Sequence, residues 1–173
     1  MHVVLADAAR HALVHRRASL VPTLRKGKQR LRSAHRSLYI FKMKLSPHFQ
    51  LSELTTTSHP ELQDEPSVEV IINLVYLCAV ILEPLRKMLG HPVRINSGYR
   101  SARLNKEVGG VPNSYHLTGR AADIFCKNLG DARLILTCLR DIPQVDLAMI
   151  EKKRGFWVHV QTSDAPRHII KTL

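Results

Sequence analysis

The stretch Ser114-Tyr-His-Leu-Thr-Gly-Arg-Ala-Ala-Asp123 combines a histidine, a glycine and an aspartate in one short segment. A second histidine follows in Trp157-Val-His159. Two histidines and one carboxylate suit a catalytic zinc ion, because three protein ligands leave the fourth tetrahedral position open for water. The candidate metal ligands are therefore His116, Asp123 and His159.

Gly119 lies between the two candidate ligands of the first stretch. Glycine adopts backbone angles that other residues avoid, so the chain can turn back on itself at this point. The apolar run Ala121–Phe125 then predicts a buried strand that carries Asp123. With His159 on a later strand, both side chains are expected to face the same metal.

Hydrophobic periodicity predicts an α+β fold. Apolar residues at helical spacing over Val68–Leu89 predict one long core-facing helix, with Pro84 as a potential kink and Gly90 as its end. The other predicted elements are a short helix capped by Ser52, helices over Ser101–Val108 and Leu129–Arg140, and strands over Val93–Ser97, Ala121–Phe125, Val145–Glu151 and Trp157–Gln161. The last two strands form a hairpin with a turn glycine, Gly155. We expect helices packed on a small, mostly antiparallel sheet.

Positive charge is concentrated at one end of the chain. The net charge is +12, yet residues 1–42 hold ten Lys or Arg and one acid and so carry +9. We expect a basic N-terminal extension over residues 1–42: a flexible arm, in preference to a loosely helical tail or to sequence upstream of a start at Met43. Such an arm can hold a protein near an anionic polymer. We therefore expect no contact with nucleic acid beyond nonspecific contact by residues 1–42.

Length and composition favour one domain with an extension. The chain has 173 residues, of which 45% are hydrophobic, which suffices for a core. The domain is expected over residues 43–165, with a C-terminal tail over residues 166–173, and the protein is expected to be a monomer. No run approaches the roughly 18 apolar residues of a membrane span, because polar residues interrupt Val68–Leu85.

The three cysteines are Cys78, Cys126 and Cys138. Their number is odd and none lies in a close pair, so neither a disulfide framework nor a thiolate zinc site is indicated. Buried free thiols are the favoured interpretation. The alternative places Cys126, three residues after Asp123, near the metal.

The motifs resemble the zinc D-Ala-D-Ala metallopeptidases, which include VanY-like carboxypeptidases and phage peptidoglycan endopeptidases, with hedgehog proteins as distant fold relatives. The resemblance covers about residues 43 to 161 and is closest to the short single-domain branch. The segments that carry it are Lys44–Leu54, Leu82–Arg86, Arg94–Ser101, Leu104–Gly110, Ser114–Asp123 and Trp157–His159. It implies a fold of the hedgehog and D-Ala-D-Ala peptidase type, with Zn²⁺ bound by His116, Asp123 and His159.

The resemblance also implies roles for residues that do not bind the metal. Arg100 matches the family arginine that binds a substrate carboxylate or carbonyl, and a guanidinium can hold a carboxylate through two parallel hydrogen bonds. An ordinary surface arginine is the alternative. Tyr99 is expected to pack beneath Arg100 as part of the substrate-binding site, and Ser114 to contact substrate or to orient His116.

The general base departs from the commonest pattern of this family. Many family members place a glutamate three residues before the late histidine, where this chain has Phe156. The short branch instead carries Asp-x-x-x-x-Glu on the preceding strand, which Asp146 and Glu151 match. If Glu151 pairs with Trp157 across the hairpin, strand alternation places it on the face of His159, within reach of a proton of the attacking water. The alternative is a hairpin-end carboxylate facing the adjacent lysines.

The function implied is zinc-dependent hydrolysis of a peptide bond in bacterial peptidoglycan stem peptides, of the D-Ala-D-Ala carboxypeptidase or endolysin type. The alternative is a non-catalytic zinc- and peptidoglycan-binding domain of the same fold, because Phe156 occupies the usual base position. A third hypothesis is a nucleic-acid-binding protein, whose salt-sensitive binding would disappear when residues 1–42 are deleted. The N-terminal residues predict no clear signal peptide, so the protein is expected in the cytoplasm until release, or to be delivered to the cell wall by a phage.

Overall fold

Apolar residues of the C-terminal half form one mixed sheet in the computed structural model, which describes residues 42–172. Its strands are β1 (Ile95–Ser97), β2 (Ala121–Cys126), β3 (Leu147–Lys152), β4 (Phe156–Gln161) and β5 (Ile169–Lys171). The sheet order is β1-β2-β4-β3-β5, and only the β3–β5 pair is parallel. The predicted α+β class with a mostly antiparallel sheet is confirmed. The predicted N-terminal extension lies outside the described residues, apart from Lys42.

The helices account for most of the remaining core. They are α1 (Leu51–Leu54), α2 (Val68–Leu77), α3 (Glu83–Leu89), α4 (Ala102–Glu107) and α5 (Leu129–Leu139), with 3₁₀ turns at Pro60–Leu62 and Tyr115–Thr118. A π-helical turn, Cys78–Leu82, joins α2 to α3, so the predicted long helix is continuous. The wide turn ends two residues before Pro84, which cannot donate to a helical carbonyl and crowds a regular preceding turn. Gly90 ends the helix with a φ of 70°.

The helix Val68–Leu89 is long and apolar enough to cross a membrane by length and composition, a criterion that core helices also meet. One of its faces is buried in the protein. The buried side chains on that face are Leu74, Leu77, Cys78, Ile81, Leu82 and Leu85. The absence of a membrane span stays a prediction.

The two faces of the sheet differ in polarity. Alternate residues of β2, β3 and β4 are buried and apolar, and these strands contact α5. The residues between them, including Asp123, His159 and Gln161, lie on the opposite face because strand side chains alternate. One face therefore builds the core and the other carries the polar side chains.

The prediction that Ser52 caps a short helix is wrong. Helix α1 begins at Leu51, with Gln50 in the N-cap position. The Gln50 N–H donates to the Glu53 carboxylate at 2.7 Å. The helix therefore starts two residues earlier than a cap at Ser52 would allow, and Ser52 lies inside it, between the buried side chains of Leu51 and Leu54.

The C-terminal residues, which were predicted as a tail over residues 166–173, contribute a strand to the sheet. Within them, Ile169–Lys171 form β5, which pairs with Leu147–Met149 of β3. A strand of three residues has too little periodicity to be recognised in the sequence. The sheet therefore extends beyond residue 165, where the domain was expected to end.

Candidate metal centre

The register of the sheet brings two of the predicted ligands together. Asp123 of β2 is paired directly with His159 of β4, and residues paired in this way lie on the same face. The 3₁₀ turn that follows Ser114 brings His116 to the same point. Gly119 ends this turn with a φ of 72°, the backbone conformation expected from its position between the ligands.

The three side chains form a compact, buried cluster. The Asp123 Oδ1 atom lies 2.9 Å from His159 Nδ1 and 3.2 Å from His116 Nε2. One potential ligand atom from each residue lies within 4.8 Å of the other two. All three residues are at most 9% exposed, so water competes little for these donor atoms.

The donor atoms fit a zinc ion. The His116 Nδ1 atom lies 2.6 Å from the carbonyl oxygen of Gly98, which can only accept a hydrogen bond. His116 must therefore donate from Nδ1, which makes Nε2 the ring nitrogen that is available to a metal ion. Two imidazole nitrogens and one carboxylate are a donor set typical of zinc.

The protonation of the cluster follows from its close contacts. Burial acts to raise the pKa of Asp123, but hydrogen bonds from His116 and His159 and the charge of Arg100 hold that pKa far below its usual value. Burial acts to lower the pKa of His159, and the hydrogen bond and charge of Asp123 outweigh this effect and raise it. Asp123 is thus an anion at neutral pH, the form that binds a cation.

Arg100 contacts the metal cluster directly. Its Nη2 atom donates to Asp123 Oδ2, and its Nε atom donates to Ser97 Oγ at 2.9 Å. This contact with a predicted ligand was not foreseen from the sequence, since the two residues are 23 positions apart. The role of Arg100 in binding substrate stays a prediction.

Tyr99 and Ser114 have different positions relative to the cluster. Tyr99 is buried beside Arg100, and its N–H donates to the carbonyl of Leu54 at 2.7 Å. Ser114 lies at the wall of the cleft, and its Oγ accepts from the His116 N–H at 3.3 Å. The hydroxyl of Ser114 therefore orients the turn that carries His116, while contact with substrate stays a prediction.

Glu151 lies on the same face of the sheet as the cluster. It pairs with Trp157, and the neighbouring pair on that face is Met149 with His159. Phe156 pairs with Lys152 and, by strand alternation, points to the opposite face. In this register a carboxylate at position 156 would point away from the metal ligands.

A cleft of about 690 Å³ opens over the cluster. A volume of this size is within the range of binding sites for small molecules and peptides. Its lining includes Arg100, Ser114, Glu151, Trp157 and the three predicted ligands. Among the described residues that line it, Glu151 is the only carboxylate besides Asp123.

The cysteines are not part of this centre. Cys78 and Cys126 are buried and free, and Cys138 is half-buried. On β2, Cys126 alternates with Asp123 and so lies on the opposite face, which contradicts the interpretation that places it near the metal. Burial raises the pKa of the Cys126 thiol to about 11, which keeps it protonated.

Comparison with known proteins agrees with this geometry. The family model described as Peptidase M15 matches residues 47–161, which include all three predicted ligands. A zinc D-Ala-D-Ala carboxypeptidase of Streptomyces albus G is 43% identical over 50 residues, which is 28% of this chain. The match covers 20% of the length of that protein.

Proposed function

Because this chain belongs to the peptidase M15 family, we propose that it is a zinc peptidase that hydrolyses a peptide bond in bacterial peptidoglycan stem peptides. The observation that carries the proposal is the buried His116–Asp123–His159 cluster at the base of an open cleft. The partial similarity to a zinc D-Ala-D-Ala carboxypeptidase supports this class of substrate.

The three ligands suit zinc in a hydrolytic role. Bound zinc polarises a carbonyl group and lowers the pKa of water. Asp123 supplies the negative charge that the cation requires, and His116 supplies the Nε2 lone pair. No fourth His, Cys, Asp or Glu joins this cluster among the described residues, so room remains for a reacting group.

Glu151 is the proposed general base. It takes a proton from the attacking water and transfers it to the nitrogen of the leaving amine as the carbon–nitrogen bond breaks. Its position at the cleft, on the face of His159, supports this role. Within residues 42–172, no Lys, Arg or His nitrogen lies within 4.0 Å of its carboxylate, which argues against an ion pair with the hairpin lysines.

Arg100 is proposed to hold the peptide through a carbonyl or a carboxylate. A guanidinium has five N–H donors. Only Nε and Nη2 have hydrogen-bond partners among the described residues. The free donors are at the wall of the cleft, so one group can contact Asp123 and substrate at the same time.

The decisive test is digestion of purified peptidoglycan with and without a chelator, followed by mass analysis of the fragments. Release should stop with the chelator and return when zinc is added. Free D-alanine identifies a carboxypeptidase, whereas larger peptide fragments identify an endopeptidase. Release that is indifferent to the chelator contradicts the zinc mechanism.

Substitution of the proposed base separates catalysis from binding. Glu151→Gln should lower the rate of release by about 100- to 10,000-fold, the range lost with a general base. Glu107→Gln is the control, because Glu107 is an exposed carboxylate of α4 outside the cleft lining. An unchanged rate in Glu151→Gln would remove this residue from the mechanism.

A non-catalytic zinc- and peptidoglycan-binding domain is the second candidate function. The observation in its favour is that the described cleft lining holds one carboxylate besides Asp123, Glu151, while Phe156 supplies none where many family members carry glutamate. Binding to peptidoglycan with no fragment released by the native protein would establish this function. For either function, the cell wall is the proposed site of action.

A further inference from the structure

Gln161 contacts the ring nitrogen of His159 that does not face Asp123. It follows His159 by two residues on β4, lies on the same face and is 6% exposed. Its Oε1 atom lies 3.1 Å from His159 Nε2, and its Nε2 atom donates to Asp146 Oδ2 at 2.7 Å. A buried amide thus links a metal ligand to a carboxylate that does not touch the metal cluster.

Asp146 is held on its other sides by the C-terminal segment. The Arg167 guanidinium donates to both carboxylate oxygens, at 2.9 and 2.7 Å. The Arg167 N–H and the Ser163 hydroxyl donate to Oδ1 at 3.0 and 3.1 Å. The carboxyl group of Asp146 is almost fully buried, so these contacts determine its orientation.

The hydrogen bonds that link His159, Gln161 and Asp146 allow only one assignment of donors and acceptors. An ionised carboxylate only accepts, so Gln161 must turn its NH₂ group toward Asp146 and its oxygen toward His159. The amide oxygen also only accepts, so His159 Nε2 must carry a hydrogen. With Nε2 protonated, Nδ1, which lies 2.9 Å from Asp123 Oδ1, is the atom of His159 that would bind zinc once its own proton is lost.

We propose that Gln161 and Asp146 are positioning residues that fix the tautomer and ring orientation of His159 for zinc, and that Arg167 anchors them from the C-terminal segment. Outer partners of this kind typically change metal affinity by about 10- to 100-fold. The inference depends on the zinc site and is independent of which peptide bond is cut. Zinc affinity therefore tests it separately from peptidase activity.

The first experiment measures the zinc dissociation constant of the full chain by competition with a chromophoric chelator. Gln161→Leu, which has a similar size but no hydrogen bonds, should bind zinc about 10- to 100-fold more weakly. Gln144→Leu is the matched control, because it is the same substitution at an amide that is not among the hydrogen-bond partners of His159 or Asp146 and does not line the cleft. Its affinity should stay within about twofold of the native value, whereas equal affinities for Gln161→Leu and the native protein would overturn the proposal.

The second experiment needs no substitution in the core. Nitrogen-15 NMR of the zinc-loaded native protein should show His159 protonated at Nε2 and not at Nδ1. Protonation at Nδ1 would overturn the proposed tautomer. Arg167→Met, at a half-exposed side chain, should weaken zinc binding severalfold, and native affinity in this variant would remove Arg167 from the proposal.

Discussion

Gly98 lies in a narrow space between His116, a predicted metal ligand, and the end of helix α1. Its carbonyl accepts a hydrogen bond from the Nδ1 atom of His116. On the other side, a Cβ atom at position 98 would lie 2.3 Å from the carbonyl oxygen of Leu54. A side chain here must displace either α1 or the backbone that orients a metal ligand.

Gly98→Ala should therefore lower the free energy of unfolding by about 1–3 kcal/mol, the usual cost of overpacking, and should also weaken zinc binding. The matched control is Gly155→Ala in the hairpin turn. That position has open space around it and no left-handed backbone, so the turn does not require a glycine. Urea unfolding and chelator competition measure both effects, and equal stabilities of the two variants would contradict the prediction.

The hydrogen bonds of Asp146 also make the stability of the folded protein depend on pH. Hydrogen bonds from Arg167 lower its pKa, and those from Gln161 and Ser163 add to the effect against the burial that raises it. A carboxyl group with a depressed pKa in the folded state stabilises the protein above its unfolded pKa of about 3.9. That stabilisation is lost as the pH falls toward the folded value.

Asp146→Asn should thus be less stable than the native protein at pH 7, and the difference should narrow as the pH falls below about 4. The measurement is the urea midpoint of both proteins, each without metal, at pH 7, 5 and 3. A difference that is constant or grows toward low pH would contradict the prediction.

At the scale of elements, the beginning of α4 connects the loop at Arg100 to an earlier turn. Ser101 caps α4 by accepting from the Leu104 N–H, and its hydroxyl donates to the carbonyl of Leu62 at 2.5 Å. Its own N–H donates to Gln63 Oε1 at 2.9 Å. Ser101 is 2% exposed, so water cannot replace these contacts when they are lost.

Ser101→Ala should lower the free energy of unfolding by about 1–2 kcal/mol, because it removes a cap and leaves the partly buried carbonyl of Leu62 without this partner. Ser67→Ala is the comparison, because Ser67 caps α2 in the same way but is exposed. It should cost about 0.5–1 kcal/mol. Equal losses in urea unfolding would show that the second hydrogen bond of Ser101 contributes nothing.

At the scale of the whole molecule, the C-terminal residues complete the sheet. The strand Ile169–Lys171 covers the edge of β3, and Arg167 provides the cation that faces Asp146. Without them, the edge of β3 is exposed and a buried carboxylate loses its charged partner, which is costly in a protein interior.

A chain that ends at residue 165 should therefore melt at a lower temperature than the full chain and should bind zinc more weakly. A chain that ends at residue 172 is the control and should match the full chain in both respects. Thermal unfolding and chelator competition test the prediction, and native values for the chain ending at residue 165 would restore the boundary expected from the sequence.

The sequence by itself determined those features of the fold and the site that depend on short stretches of residues. Residue types and spacing predicted the α+β class, the turn at Gly119 and a metal centre at His116, Asp123 and His159, because helical and strand periodicity and metal-ligand chemistry are legible over short stretches. The sequence also indicated the hairpin, while its register, which pairs Glu151 with Trp157, entered only as a condition that the structure meets. Local contacts of this kind need no knowledge of how distant segments pack.

Only the tertiary structure decided which distant groups meet. The contacts of Arg100 with Asp123, of Gln161 with Asp146 and of Arg167 with Asp146 span 23, 15 and 21 residues. The π turn before Pro84 and the strand formed by Ile169–Lys171 likewise depend on packing. Hydrogen bonds between buried groups that are far apart in the chain leave no periodic trace in the sequence, because geometry and burial select the partners.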